Sequence, residues 1–327
     1  MLTPRQNLVE TIKRGNPDRF VNQFEFMDLI MEAPMDLPLA PAPGTEVVNK
    51  WGITFRWPEG QIGSFPVHDD EHKVLKDITK WREVVKAPSV FYTEEEWAPA
   101  VAHANSIDRN EKFVTAFCAP GIFEQTHHLM GIEDALMSFY EEPEEMQALI
   151  DYIVEYELAY AKEVIDHIHP DCLFHHDDWG SQISTFVSVP MFEEFLLPAY
   201  KKVYGFWKEN GVELIVHHSD SFAATLVPAM IEMGIDIWQG TMTTNNIPEL
   251  IKKYGDKITF MGGIDSGKVD HPEWSPEEIE KYVEIACKEN GKLSFIPSLS
   301  QGLNIASFEG VYDETSAAID RMSKKMF

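Results

Sequence analysis

The stretch Asp171-Cys172-Leu173-Phe174-His175-His176-Asp177-Asp178-Trp179-Gly180-Ser181-Gln182 runs from an apolar segment straight into a group of imidazoles and carboxylates. Further along, Glu213-Leu214-Ile215-Val216-His217-His218-Ser219-Asp220 repeats the pattern. A short unbroken apolar run reads as a strand buried on both faces, and the segment between the two runs, 190–210, carries helical periodicity. The same alternation extends outward. Strands are predicted at 113–118, 171–176, 213–217, 235–238, 258–261 and 292–296. Helices are predicted at 132–140, 143–167, 190–210, 222–233, 247–254, 276–290 and 310–325. Strands separated by helices form a parallel sheet, and the number of repeats favours a closed α/β barrel of the TIM (β/α)8 type.

One barrel domain is expected over residues 1–327. Its first 99 residues are the least regular part, rich in Pro and Trp, with one strand around 20–26 and a turn-rich stretch through Pro41, Gly44 and Pro58. Thr3 as N-cap, Pro4 at the first helical position and Gly15 after the last turn bracket a helix that reads as a lid on the barrel's bottom. Ser275, Pro276 and Glu278 spell a capping box for the helix that Gly291 ends. No G-x-G-x-x-G or Walker loop is present, so an open nucleotide-binding sheet is not indicated.

Composition narrows the function classes. Asp and Glu number 54 against 27 Lys and Arg, a formal charge of -27, which repels phosphate backbones and anionic lipid, so neither nucleic acid nor membrane is an expected partner. Three cysteines, without a C-x-x-C pair, signal neither a disulfide framework nor a thiolate cage and suit a reducing cytoplasm. No targeting or membrane-spanning segment is readable.

In such a barrel, chemistry gathers at the carboxyl ends of the strands. His176, Asp177 and Asp178 follow one strand, His218 and Asp220 the next, and together they suit Zn²⁺, which takes imidazole nitrogen and carboxylate oxygen and needs about three protein ligands. Each residue alone reads better as a hydrogen-bonded histidine or a helix cap; the group exceeds what capping needs. Glu124, His127 and His128 follow the 113–118 run and reach the same mouth or belong to a surface helix. Trp179, Trp238 and Phe123 either line a pocket for a flat ligand or simply pack.

These residues carry a resemblance. Asp177-Asp178-Trp179-Gly180-Ser181-Gln182, Pro190-Met191-Phe192-Glu193-Glu194-Phe195, His218-x-Asp220 leading into Leu226-Val227-Pro228-Ala229-Met230-Ile231, and Phe260-Met261-Gly262-Gly263-Ile264-Asp265 together resemble the uroporphyrinogen decarboxylase superfamily. The resemblance implies a TIM barrel and one of two activities. Decarboxylases of the family carry an arginine-rich segment near the N-terminus, whereas the corresponding Phe20-Val21-Asn22-Gln23-Phe24-Glu25-Phe26-Met27 has no arginine. Decarboxylation of an eight-carboxylate porphyrinogen is therefore disfavoured.

Methyltransferases of the superfamily hold Zn²⁺ through a His-x-Cys motif and a later Cys. Alignment puts His218 on the histidine, Asp220 on the first cysteine, and Ser298 or Leu299 near the second, with Glu124, His176 and Asp178 as sources of a further ligand. The resemblance thus implies a metal set of His218, Asp220 and His176, and acid or base roles for Asp177, Asp178 and Glu124. It places Trp238, Gln239 and Asp265 against a corrinoid carried by a partner protein. The expected activity is methyl transfer from a small methylated donor, such as a methoxylated aromatic, to the Co(I) corrinoid of that carrier. Transfer from methylcorrinoid to a thiol or pterin, and a non-catalytic corrinoid- or tetrapyrrole-binding protein, are the alternatives.

Overall fold

The computed structural model describes residues 1–35, 39–61 and 63–327. In chain order the strands are β1 (Met27–Ile30), β2 (Glu46–Val48), β3 (Thr54–Arg56), β4 (Phe65–Pro66), β5 (Phe113–Cys118), β6 (Cys172–His176), β7 (Leu214–His218), β8 (Ile237–Thr241), β9 (Thr259–Ile264) and β10 (Phe295–Leu299). Seven form one curled parallel sheet in the order β1-β5-β6-β7-β8-β9-β10, wrapped by helices as a TIM-type barrel. Between β10 and β1 the described chain supplies no eighth strand. Gln23 stands there instead, its N–H donating to Pro297 O (3.3 Å) and its Oε1 accepting from Leu299 N (3.3 Å).

The strand expected at 20–26 is therefore absent. Gln23 adopts the left-handed region (φ 50°), and turn bonds from Glu25 N–H to Asn22 O and from Met27 N–H to Phe24 O break the extended path, so the strand begins only at Met27. The N-terminal hundred residues are also more regular than expected. β2, β3 and β4 make a small antiparallel sheet, and Thr93 with Glu96 forms a full capping box on the helix Glu94–Ser106. The corresponding box at Ser275 is only half made. Ser275 accepts from Glu278 N–H, while the Glu278 carboxylate meets His271 Nε2 at 3.1 Å.

Period-two alternation sorts each barrel strand into two faces. Phe113 and Phe117, Cys172 and Phe174, Val216, Ile237, Met261 and Ile296 fill the barrel interior with Leu8, Val21 and Phe26. Val114, Leu173, Ile215, Trp238, Phe260, Phe295 and Leu299 face outward into the larger core beneath the helices. The helix Pro4–Ile12 lies across the strands' amino ends, where Arg5 N–H donates to Glu111 O (2.9 Å) and Thr11 O accepts from Ser294 N–H (3.1 Å). Among the described residues no helix is long and apolar enough to cross a membrane.

Candidate metal centre at the strand carboxyl ends

The alternation decides which half of each histidine doublet reaches the barrel mouth. His176 shares the parity of Cys172 and Phe174, and His218 that of Val216, so both rings top the interior stack; each lies within 6.0 Å of Phe174 or of the other. His175 and His217 have the opposite parity and point into the helix layer. Their rings meet Tyr204, whose hydroxyl is 3.2 Å from His175 Nδ1 and 2.7 Å from His217 Nδ1.

At the mouth, the His176 and His218 rings stack with centroids 4.4 Å apart and planes 20° from parallel. His176 Nδ1 lies 2.9 Å from Glu124 Oε2, and His218 Nδ1 bonds to the Gln239 amide oxygen. Both partners are acceptors, so each Nδ1 points a hydrogen at its partner and each Nε2 is the atom that meets a ligand once it is free of a proton, as ligating histidines are commonly oriented. A carboxylate oxygen of Asp178 completes the group, the three donor atoms lying within 4.8 Å of one another. Two imidazoles and a carboxylate are a fitting set for Zn²⁺ with an open position.

The surrounding charges favour a cation. Burial opposes charge on His176, but Glu124, Asp178 and Asp220 outweigh it and push its pKa up to about 10. Burial, together with the charged His176 ring, pulls His218 down to about 4 against the opposing pull of Asp178 and Gln239. Burial and the neighbouring Asp178 raise Asp220 to about 8. Acids thus outnumber bases in a partly desolvated mouth, and it holds positive charge where it can.

The backbone brings these groups together through two local devices. Gly240 (φ 89°) sits at the register shift of β8, where a Cβ would stand 2.9 Å from the Ser219 carbonyl and the Asp220 nitrogen; its absence lets the end of β7 close on β8. Asp177 anchors the helix Ile122–Met130. It accepts from Phe123 N–H (2.9 Å), Glu124 N–H (2.8 Å) and the Tyr200 hydroxyl, and so aims Glu124 at His176.

Several expected site residues stand elsewhere. Asp177 is fully buried by these bonds and does not join the mouth. Asp220 does not join the three converging donors; its N–H donates to Asp178 Oδ1 at 3.0 Å, and Asp178 is the carboxylate that lies with the two rings. Trp238 points outward, wholly buried, with Nε1 donating to Ser219 O (2.9 Å), because its parity is that of Phe260's face. Gln239 tethers His218 instead of lying free for a cofactor. Asp265 caps the short helix Ser266–Val269 through Gly267 N–H (3.0 Å). Ser298, aligned with the second cysteine, donates its hydroxyl to Leu299 O (3.1 Å). Trp179 and Phe123 are buried packing residues, Trp179 stacking on His217 at 3.8 Å. Sequence reading missed the supporting layer of Glu157, Tyr200 and Tyr204, whose helices lie far from the strand ends in sequence and carry no local signal.

In fold the chain resembles a methyltransferase from Methanosarcina mazei, with 13% sequence identity and a TM-score of 0.65 over 98% of this chain and 99% of that one. A glycoside hydrolase family 5 protein from Bacteroides vulgatus aligns with 72% of this chain and 50% of that one at 9% identity, and its TM-score of 0.34 carries no argument. No curated protein sequence gives a significant match. Residues 46–307, which span β2 to β10 and every residue of the mouth, match the sequence model of uroporphyrinogen decarboxylase (URO-D). The chain belongs to the uroporphyrinogen decarboxylase family.

Proposed function

We propose that this chain is a methyltransferase that moves a methyl group from a small methylated substrate, such as a methoxylated aromatic, to the Co(I) corrinoid of a separate carrier protein. The observation that carries the reading is the pair of tethered histidines, His176 and His218, presenting Nε2 beside Asp178. Zn²⁺ held by these three residues would supply a Lewis acid for a departing ether oxygen.

The chain's own residues do the rest. Glu124 and Gln239 keep the Nδ1 hydrogens of His176 and His218 in place and fix both rings. Asp220, whose N–H is bonded to Asp178 and whose pKa burial and Asp178 raise to about 8, would supply the proton for the leaving oxygen. In the balanced step, the oxygen–methyl bond breaks with its electron pair staying on oxygen. The oxygen takes that proton, and the methyl group is captured by the electron pair of Co(I).

Arginine placement argues against decarboxylation. None of the seven arginines falls between Arg19 and Arg56, and six are ion-paired away from the mouth: Arg5, Arg19, Arg56, Arg82, Arg109 and Arg321. A substrate with many carboxylates would meet acids and no guanidinium clamp. The shared fold of the Methanosarcina mazei methyltransferase agrees with the reading at the level of architecture.

The test is to mix Zn²⁺-loaded protein, a reduced corrinoid protein and a panel of methoxylated and other methylated compounds, and to follow the cobalt spectrum. Appearance of methyl-Co(III) with at least one donor is expected. No change across a broad panel would overturn the proposal, and thiol-dependent loss of methylcobalamin would reverse its direction.

A further inference from the structure

Glu124 also belongs to a second set of donors. Glu124, His127 and His128 occupy positions i, i+3 and i+4 of the helix Ile122–Met130, which puts them on one face. One donor atom from each lies within 4.8 Å of the others. The His127 and His128 rings sit edge to face, centroids 5.0 Å apart, and His68, with Nε2 donating to His128 O at 3.2 Å, closes in from the loop after β4.

A second, independent observation points to a ligand. Nδ1 of His128 is buried without a hydrogen-bond partner, and the part-exposed His127 ring stands beside it. Buried imidazole nitrogens are ordinarily paired, so the unpaired Nδ1 of His128, on one helix face with a second imidazole and a carboxylate, is not explained by packing. Glu124 binds His176 through Oε2 alone, which leaves its other oxygen for a second partner.

We infer that Glu124, His127 and His128 form a second divalent-cation site, distinct from the His176–Asp178–His218 group and joined to it through the Glu124 carboxylate. Two imidazole nitrogens and one carboxylate oxygen suit Zn²⁺ or another borderline first-row ion better than Mg²⁺ or Ca²⁺, which prefer all-oxygen shells. The mouth is then a two-ion centre. A cation on one Glu124 oxygen draws electron density from the other, weakens its hold on the His176 Nδ1 hydrogen, and couples occupancy of the two sites.

The inference does not depend on methyl transfer. It is tested by Co²⁺ and Zn²⁺ titration of the chelator-treated full chain, with visible absorption and metal analysis as readouts. Wild type is expected to bind two ions, the His127→Gln/His128→Gln variant one, and His218→Ala one. Combining all three substitutions should leave none. Far-UV circular dichroism checks that each variant is folded; if the double variant is not, the ion kept or lost by His218→Ala decides. One ion in wild type that His218→Ala loses and the His127→Gln/His128→Gln variant keeps, no ion in wild type, or wild-type stoichiometry and affinity in the His127/His128 variant, overturns the inference. Loss of the ion with His218→Ala alone bears on the other site, so the two failures are told apart.

Discussion

Glu124 Oε2 lies 2.9 Å from His176 Nδ1, and this single contact ties the helix after β5 to the carboxyl end of β6. A carboxylate behind a ligating histidine fixes the ring and raises its basicity. Such partners are worth about 10–100-fold in metal affinity. Glu124→Ala should weaken Zn²⁺ binding by that order in a chelator competition, and Glu124→Gln, whose amide oxygen can still accept from Nδ1, by less. Equal affinity in all three proteins would show that the contact does not orient His176.

Asp177 has its carboxylate satisfied by two backbone N–H groups and the Tyr200 hydroxyl. Tyr200 is itself wholly buried and also accepts from Trp179 Nε1 at 3.0 Å. Tyr200→Phe removes these bonds and a longer one from Phe123 N–H (3.4 Å), and leaves an acid and an indole N–H short of partners, at a cost of about 1–3 kcal/mol. Urea unfolding should report that loss. Because Asp177 positions Glu124, the variant should also bind Zn²⁺ less tightly; unchanged stability would mean the network is not formed.

Gly121 precedes the same helix. A Cβ there would lie 2.5 Å from Asp177 Cβ, Asp177 Oδ2 and His175 Cε1, all on buried side chains with no free end to move. Gly121→Ala is therefore expected to destabilise the fold by about 1–3 kcal/mol or more and to displace Asp177. Thermal melting and metal content measured together would check both effects, and a variant equal to wild type in both would refute the packing described.

His103, on the helix Glu94–Ser106, contacts Glu32 at 2.9 Å and Asp28 of β1 at 3.2 Å. The Glu32 hydrogen bond outweighs the opposing effect of burial, and with the charges of Glu32 and Asp28 it holds the His103 pKa above its usual value. A raised folded-state pKa stabilises fully below the unfolded value of about 6.5 and is lost as pH rises through the folded one. His103→Gln should thus cost stability near pH 6, by up to about 1 kcal/mol for so exposed a pair, and nothing near pH 9. A deficit independent of pH would contradict this origin.

The barrel was legible because β5 to β10 are short apolar runs separated by amphipathic helices, one of them marked by its Ser275 cap, and the mouth was legible because imidazoles and carboxylates cluster after two of those runs. The errors have local causes. Gly262 and Gly263 let β9 continue to Ile264, and β10 begins only at Phe295, so residues expected beyond the strand ends lie inside the strands. Strand parity, applied to the doublets His175-His176 and His217-His218, separates the interior ring from the outer one and also turns Trp238 away from the mouth. What sequence did not carry was contact between distant elements: Tyr200 with Asp177, Tyr204 with both outer histidines, and Glu157 Oε2 with His175 Nε2 at 3.1 Å.

The central claim is that His176, Asp178 and His218 hold a metal ion, and its most direct test is Zn²⁺ content per chain after chelation, reloading and desalting, in wild type and in His218→Ala. The account predicts that His218→Ala, still folded, retains one equivalent of Zn²⁺ fewer than wild type. Equal Zn²⁺ in the two proteins, or none in wild type, would contradict it.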